Sequence, residues 1–512
     1  MHGPRSAPES GVEPPDGTSV TLLTEGTYPH SHGGVSVWCD QLINGMPDVE
    51  FHVMAVTGTG REPLAWKPPG NVRGIDNLPL WGTPQPCPAP RGRELRRVLG
   101  AYEELLTALL DPAHEDHFPA ALYQLAEHAP AGILSQALRT ERAARVLARL
   151  WTKPSLATAA ARPTLHDALS ATDLLEHALR PLAGRPAVGS LTHAVSGGLA
   201  ALPGLVAHHQ HGTPFLLTEH GVYLRERYLS FRAEPYRWPV KALMLGFFRL
   251  LAKESYRTAA LVTPGNRYNR RWEEHGGTPP ERIRTVYNGV DPAAFPPAGP
   301  EPEAPTLSWA GRVDPIKDLR TLIRAFALVR AELPTAKLRL FGGTPRGAEA
   351  YREGCEELAK ELGVGADVTF EGRVDDIKDA YAAGNVVMLS SVSEGFPFTL
   401  IEAMSCGRAT VSTDVGGVRE AVGDAGLVVP PRDPERMAQA ALRLLKEPQL
   451  RARMGEGARL RVIEQFTLRQ TIDTFRDIYH CLSGRRQDRE PHRTTGAPRP
   501  SWARAIAAGG AG

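Results

Sequence analysis

The chain alternates short apolar runs with amphipathic stretches, and does so twice, on either side of the proline-rich segment "DPAAFPPAGPEPEAP". Short apolar runs bounded by turn residues read as buried strands, and a strand–helix–strand order makes neighbouring strands parallel, with helices covering the sheet faces. In the first half "SVTLLTEG" leads into "HGGVSVWCDQLINGM", a helix opening on glycines, and then into the strand "FHVMAVTG". The rhythm resumes with "AVGSLTHAVS", "PFLLTEHG" and "AALVTPGN", closing with an expected strand in "RIRTVYNGVD". In the second half it runs "TLSWAGR", "DLRTLIRAFALVRAEL", "KLRLFGG", "EGCEELAKEL", "DVTFEGR", "NVVMLSS", "FTLIEAMSCG" and "ATVSTDVGG". The expected fold class is α/β, with two doubly wound, Rossmann-like domains facing across a cleft.

A chain of 512 residues fits that reading, because single cores seldom grow beyond roughly 250–300 residues. The first domain is placed at 18–292, the linker at 293–305, the second domain at 306–465 and a closing helix at 466–482. The region of about 79–187 breaks the alternation. There "RELRRVLGAYEELLTALL" sets Leu95, Val98, Leu99, Tyr102, Leu105, Leu106 and Leu109 at helical spacing, so a largely helical insertion is expected. The Pro/Gly-rich head, 1–17, and the Arg/Pro/Gly/Ala-rich tail, 483–512, are expected to be disordered.

Several function classes are disfavoured. The 59 basic and 57 acidic residues leave a formal charge of +2, without the excess that wholesale nucleic-acid binding needs. The first residues lack the apolar core of a secretory signal, and no apolar run approaches the roughly 20 residues of a membrane span. The five cysteines are odd in number, scattered and without a C-x-x-C pair, as expected of reduced, structural thiols rather than a zinc site.

The unusual residues fall just after strands, where ligands of such folds collect. Gly33 and Gly34 open a helix, and glycines there let backbone N–H groups approach an anion. The full dinucleotide fingerprint is missing, which argues against a nicotinamide enzyme. His220 ends the strand "PFLLTEH". Arg312 and Lys317 flank a turn before a helix N-terminus and could converge on a diphosphate, the arginine by two-point hydrogen bonding and the lysine as a point charge. In "SEGFPFTLIEAM", Glu394 lies in the strand–helix loop and Glu402 on the helix that follows, and each carboxylate can accept hydrogen bonds from a diol. Each residue alone has a blander reading: a tight turn, a polar strand end, a solvated basic turn, a helix-start charge or an exposed helical charge. Jointly, those readings leave the loop Gly395-Phe396-Pro397-Phe398 unexplained.

The segments "HGGVSVW", "TEHG", "VYNGVD", "AGRVDPIKD", "EGRVDD" and "EGFPFTLIE", followed by "AMSCGRATVSTDVGG", resemble the retaining glycosyltransferases of family 4, of the two-domain GT-B type, and run in that family's order from Val20 to about Gln465. More narrowly, "TEGTYPHSHGGVSVW", "TEHGVYLRER" and the helical insertion resemble the cytosolic glycosyltransferase of Pel exopolysaccharide synthesis. The resemblance implies that Glu402 binds the nucleotide ribose, and that Glu394 with the amides of Phe396, Phe398 and Thr399 holds donor-sugar hydroxyls. It implies that Arg312 and Lys317 neutralise the diphosphate, that the Gly33–Gly34 loop approaches it from the other domain, that His220 sits beside the reacting sugar, and that Arg373 lies near the base. The first loop reads "PHSHGG", so His30 and His32 depart from the family pattern, with contacts the resemblance does not place. A UDP-linked sugar donor, a glycan or other hydroxyl acceptor and no cofactor are implied. No Asp-x-Asp motif accompanies the nucleotide elements, so metal independence is expected. A polysaccharide-export membrane complex is an implied partner, with the protein in the cytoplasm, peripheral to the membrane through that complex. The alternatives are a sugar-nucleotide epimerase of the same fold and a non-catalytic nucleotide-sugar-binding subunit.

Overall fold

The computed structural model describes residues 17–82, 87–152, 162–186 and 191–484. The expected disordered head and tail lie outside the described residues, apart from residues 17, 483 and 484.

Two six-stranded sheets organise the chain. The first contains β1 (Ser19–Glu25), β2 (Glu50–Thr57), β3 (Val72–Pro79), β4 (Leu191–Ala194), β5 (Phe215–Glu219) and β6 (Leu261–Pro264), in the order β3-β2-β1-β4-β5-β6. The second contains β7 (Thr306–Ala310), β8 (Lys337–Phe341), β9 (Val368–Gly372), β10 (Val386–Leu389), β11 (Ala409–Thr413) and β12 (Leu427–Val429), in the order β12-β11-β10-β7-β8-β9. Neighbouring strands are parallel throughout. Central strands such as β5 and β10 are buried along their whole length, as strands covered by helices on both faces must be. The α/β class and the pair of Rossmann-like domains expected from the alternation are what the chain forms. Strand order reverses between β1 and β4 and between β7 and β10, and a crevice opens at the carboxyl ends of strands at such points.

The structure adds the short edge strand β12 (Leu427–Val429), which the sequence reading did not mark, and departs from that reading at two further segments. "VRGIDNLP" forms β3, an edge strand with Arg73, Asp76 and Asn77 exposed; paired on one side only, it needs no apolar run. Conversely "RIRTVYNGVD" is not a strand: Ile283 makes one isolated bridge to Val262 and the chain peels away toward the second domain. The insertion is helical, with helices Gly92–Leu110, Phe118–Glu127, Ile133–Leu138, Glu141–Trp151 and Leu165–Leu179. Leu95, Tyr102, Leu122, Leu147 and Leu175 share one core with Phe247 of the long helix Trp238–Thr258 and with Leu23 of β1.

The chain passes between the domains twice. The outward passage, through Val290, is hydrogen-bonded to the return passage: the Val290 amide donates to the Phe466 carbonyl (2.9 Å), and the Leu468 amide to the Val290 carbonyl (2.8 Å). The closing helix Leu468–Leu482 starts at Thr467, whose hydroxyl and the Gln470 side chain satisfy each other's amides. It lays Ile472, Phe475, Ile478 and Tyr479 against Trp38, Leu42 and Phe51 of the first domain. Each such buried side chain contributes roughly 1.5–3 kcal/mol. Among the described residues no helix is long and apolar enough to cross a membrane.

Candidate active site

The loops after β7 and β10 belong to neighbouring strands and are tied together. Ser390 Oγ donates to the Lys317 carbonyl (2.7 Å) and the Val392 amide to the Ile316 carbonyl (2.9 Å). Asp318 adopts a left-handed conformation, φ 46°, and its carboxylate caps the helix Leu319–Glu332 through Thr321. This sharp turn aims Lys317 back across the strand ends. Its Nζ lies 2.5 Å from Glu394 Oε1, which also accepts from Ser391 Oγ at 2.6 Å. Both charged side chains are mostly shielded, at 18% and 11% exposure, so Lys317 and Glu394 form one unit. Arg312 is open to solvent, 3.4 Å from Asp314.

The Glu394 loop is braced from behind. Gly417 N–H donates to the Gly395 carbonyl (2.8 Å). Gly416 has φ +55°, and a Cβ there would stand 1.8 Å from the Glu394 carbonyl oxygen; only glycine satisfies both demands. Phe396 turns into an aromatic cluster with Tyr287 and Phe466, at centroid distances of 5.0 and 5.1 Å, and its carbonyl accepts from Asn288 Nδ2 (2.9 Å). Pro397 precedes the helix Phe398–Ser405, so the amides of Phe398 and Thr399 are among the donors that a helix start leaves without intrahelical partners. Glu402, one turn further on, is half-buried rather than exposed, and it accepts from the hydroxyl of Tyr381. Burial pushes its pKa up to about 7, against the lowering effect of that bond. Arg373 is exposed just beyond β9.

Across the cleft, Gly33 caps the helix Gly34–Asn44 without a side-chain bond, and no acidic residue occupies its first turn. An anion would find the positive end of the helix uncompensated. His30 and His32 brace this loop: His30 Nε2 meets Asn77 Oδ1 at 2.7 Å, and the His32 ring packs on Trp66 at 5.2 Å. His220 follows β5, half-buried, with Nε2 enclosed and lacking a hydrogen-bond partner. Burial lowers its pKa to about 4, so the imidazole is neutral near pH 7.

The two domains touch where these residues meet. A Cβ on Gly395 would stand 2.1 Å from the His220 carbonyl oxygen, and one on Gly34 would stand 3.7 Å from the Phe398 ring. Glu394, Lys317, Phe398, Gly34 and His220 thus come together, while Arg312 and Arg373 stand on the solvent side. Sequence reasoning missed Tyr381, Ser391, Asn288 and Trp38. Of these only Ser391, three residues before Glu394 after an apolar strand, carried a local signal.

Residues 18–281 match the family described as "Domain of unknown function (DUF3492)", more than half of the chain. The chain belongs to the DUF3492 family. Residues 304–447 of this DUF3492 protein match "Glycosyl transferases group 1", so its second domain is a group 1 glycosyltransferase domain. A D-inositol 3-phosphate glycosyltransferase of Saccharomonospora viridis is 34% identical over 218 residues, covering 39% of this chain and 50% of that protein. An N-acetyl-alpha-D-glucosaminyl L-malate synthase of Bacillus anthracis is 31% identical over 213 residues, 40% of this chain and 54% of that protein. The chain thus spans about half the length of the curated relatives it matches. Among solved structures, sucrose-phosphate synthase from Thermosynechococcus elongatus superposes with a TM-score of 0.59 at 21% identity, covering 91% of this chain and 99% of that one. Anabaena HepE, solved with UDP and glucose, gives 0.57 at 15% identity, covering 90% and 98%. At these identities the likeness is one of fold.

Proposed function

We propose that this DUF3492 protein is a retaining, metal-independent glycosyltransferase of the family 4 type. It moves a hexose from a UDP-linked donor to a hydroxyl of a glycan acceptor, and the narrower sequence resemblance supports a role for that reaction in exopolysaccharide synthesis. One observation carries the reading: the Lys317–Glu394 unit stands one residue from the contact between Gly395 and the His220 backbone carbonyl, so donor-holding groups of one domain meet the strand end that carries a neutral imidazole in the other. The names of the curated relatives, and HepE solved with UDP-glucose, support the choice of chemistry and donor.

In this reading Glu402 accepts the ribose hydroxyls, and Arg373 lies near the base through its backbone. Lys317, Arg312 and the helix starts at Gly34 and Phe398 stabilise the diphosphate as the bond from sugar C1 to phosphate oxygen breaks. Preorganised charge of this kind is usually the largest catalytic contribution. Glu394 holds sugar hydroxyls, with its charge compensated by Lys317 and one oxygen occupied by Ser391. Double displacement needs a carboxylate nucleophile at C1, and a glutamate given to holding sugar hydroxyls does not fill that role, which favours front-face transfer. The leaving phosphate oxygen takes the proton of the acceptor hydroxyl while the acceptor oxygen bonds to C1 from the face the phosphate leaves, so configuration is retained. Domain closure excludes water, which would otherwise hydrolyse the donor.

The test combines a thermal-shift panel of UDP, GDP and ADP sugars with product analysis. A donor at ~100 times its Kd adds about 2.7 kcal/mol of stability. The expected product forms only with an acceptor, keeps the donor's anomeric configuration and survives EDTA. Donor conversion without acceptor would establish an epimerase, and binding without turnover a nucleotide-sugar sensor. Activity abolished by chelation and restored by magnesium or manganese would overturn metal independence.

A further inference from the structure

His220 lacks what usually orients a reactive histidine. Its Nε2 is enclosed without a hydrogen-bond partner, whereas neighbouring His193 is held at both nitrogens, by Tyr479 Oη at 2.8 Å and Thr218 Oγ1 at 2.7 Å. What the His220 ring does have is Trp38. The two rings meet near-perpendicular, 72° between planes, with centroids 4.7 Å apart. Trp38 is 3% exposed and sits in the helix that opens at Gly34. The indole is gripped by Phe475 of the closing helix, at 5.2 Å and 80°, and by His193, at 5.7 Å and 86°.

We infer that Trp38 is a positioning residue for His220, setting the plane of the imidazole by an edge-to-face contact, and that Phe475 of the closing helix and the immobilised His193 hold the indole in place. Aromatic rings prefer such arrangements because the positive edge of one meets the negative face of the other. The contact joins three elements: the helix behind the Gly33–Gly34 loop, the end of β5 and the closing helix Leu468–Leu482. It also keeps water from the imidazole, consistent with the lowered pKa of His220. The titratable and charged groups around His220 are His193 on β4, Glu219 at the end of β5, and Glu226, whose carboxylate stands over Gly221. Cys39 and Asp40 follow Trp38 on its helix, Tyr479 of the closing helix bonds His193 rather than His220, and the Lys317–Glu394 pair approaches through Gly395, which meets the His220 carbonyl. Glu219 is turned away, accepting from the Gly197 amide and the Tyr256 hydroxyl.

The inference deepens the proposed function, and its test has one arm independent of that reading. The full chain is compared with Trp38→Phe, which keeps an aromatic ring, and Trp38→Leu, which fills space without one. Phe475→Leu loosens the indole from the other side and carries the same test if Trp38→Leu does not fold. The first arm is a histidine-ring NMR titration, with the His220 signal assigned by its loss in His220→Gln. His220 is expected to titrate near pH 4 in the parent, close to that in Trp38→Phe, and higher in both leucine variants, whose smaller side chains leave room for water beside the ring. The second arm is kinetic. Trp38→Leu should lower kcat by ~10- to 100-fold, the scale of a slightly misplaced reacting group, with donor KM and UDP affinity unchanged. Its acid limb should move up toward neutral pH, and Trp38→Phe should recover most of the turnover. A His220 titration unmoved in folded leucine variants would overturn the inference. A moved titration without any glycosyl transfer would uphold it and overturn the proposed function instead.

Discussion

Glu402 and Glu394 share a motif but stand in different electrostatic surroundings, and their losses should register in different measurements. Glu402 carries a pKa of about 7 because it is half-buried. If its ionised form grips the ribose, UDP affinity should fall as pH drops through 7, by up to tenfold per unit below it, and calorimetry between pH 6 and 8 reads this directly. The same shift opposes folding above pH 7, where the carboxylate must be charged in the fold; that cost fades as pH falls to the unfolded value near 4.5. Glu402→Ala should weaken UDP by roughly 1.5–3 kcal/mol, the worth of hydrogen bonds to a charged group. Tyr381→Phe removes the bond that lowers the Glu402 pKa, and should move the pH dependence of binding upward. Glu394→Gln keeps the shape without the charge, and should cut turnover by ~100-fold or more while leaving UDP affinity nearly intact. Normal turnover in that variant would reduce Glu394 to a helix-start charge. The spacing of these two glutamates was visible in the sequence, but their partners were not. Tyr381 and Lys317 come from other strand–helix units, and nothing local marks a pairing that only the order of strands creates.

At the scale of elements, legibility followed burial. Helices with a clear apolar stripe, such as Leu319–Glu332, and fully buried strands, such as β10, could be read directly. The polar edge strand β3 could not, and the apolar segment around Ile283 was mistaken for a strand because composition does not reveal where a chain leaves its sheet. Nor was a join between elements of different domains foreseeable. Glu420, on the short helix Val418–Val422, accepts from the amides of Arg267 and Tyr268, both at 2.8 Å, at the start of the first-domain helix Arg267–His275. The Tyr287 hydroxyl adds a third bond at 3.2 Å. A helix cap supplied by the opposite domain resists their separation. Glu420→Ala should cost ~1 kcal/mol, as lost caps do, and only in the arrangement where the domains touch. Small-angle scattering should show a larger radius of gyration for the free variant, with the difference shrinking at saturating UDP-sugar. Unchanged scattering would mean that the cap does not govern the contact.

For the molecule as a whole, two α/β domains and the helical insertion could be anticipated from the repeated alternation and its interruption, whereas the insertion's core, shared with the helix Trp238–Thr258, could not. The last helix was foreseen only as a closing element. Its address on the first domain follows from its apolar face meeting Trp38 and Phe51. Ending the chain before Leu468 should therefore destabilise the first domain rather than the adjacent second one. Hydrogen exchange would rise in β1, β2 and the helix Gly34–Asn44, with β7–β11 little affected; equal loosening of both domains would contradict this. The double passage at Val290, Phe466 and Leu468 bears equally on modular exchange. A hybrid made by joining halves at the linker would inherit a terminal helix evolved for a stranger's surface, mismatched to its new host. Recombination that respects both passages would swap only the stretch between them and leave the closing helix on its own partner, so the exchangeable unit is an internal cassette.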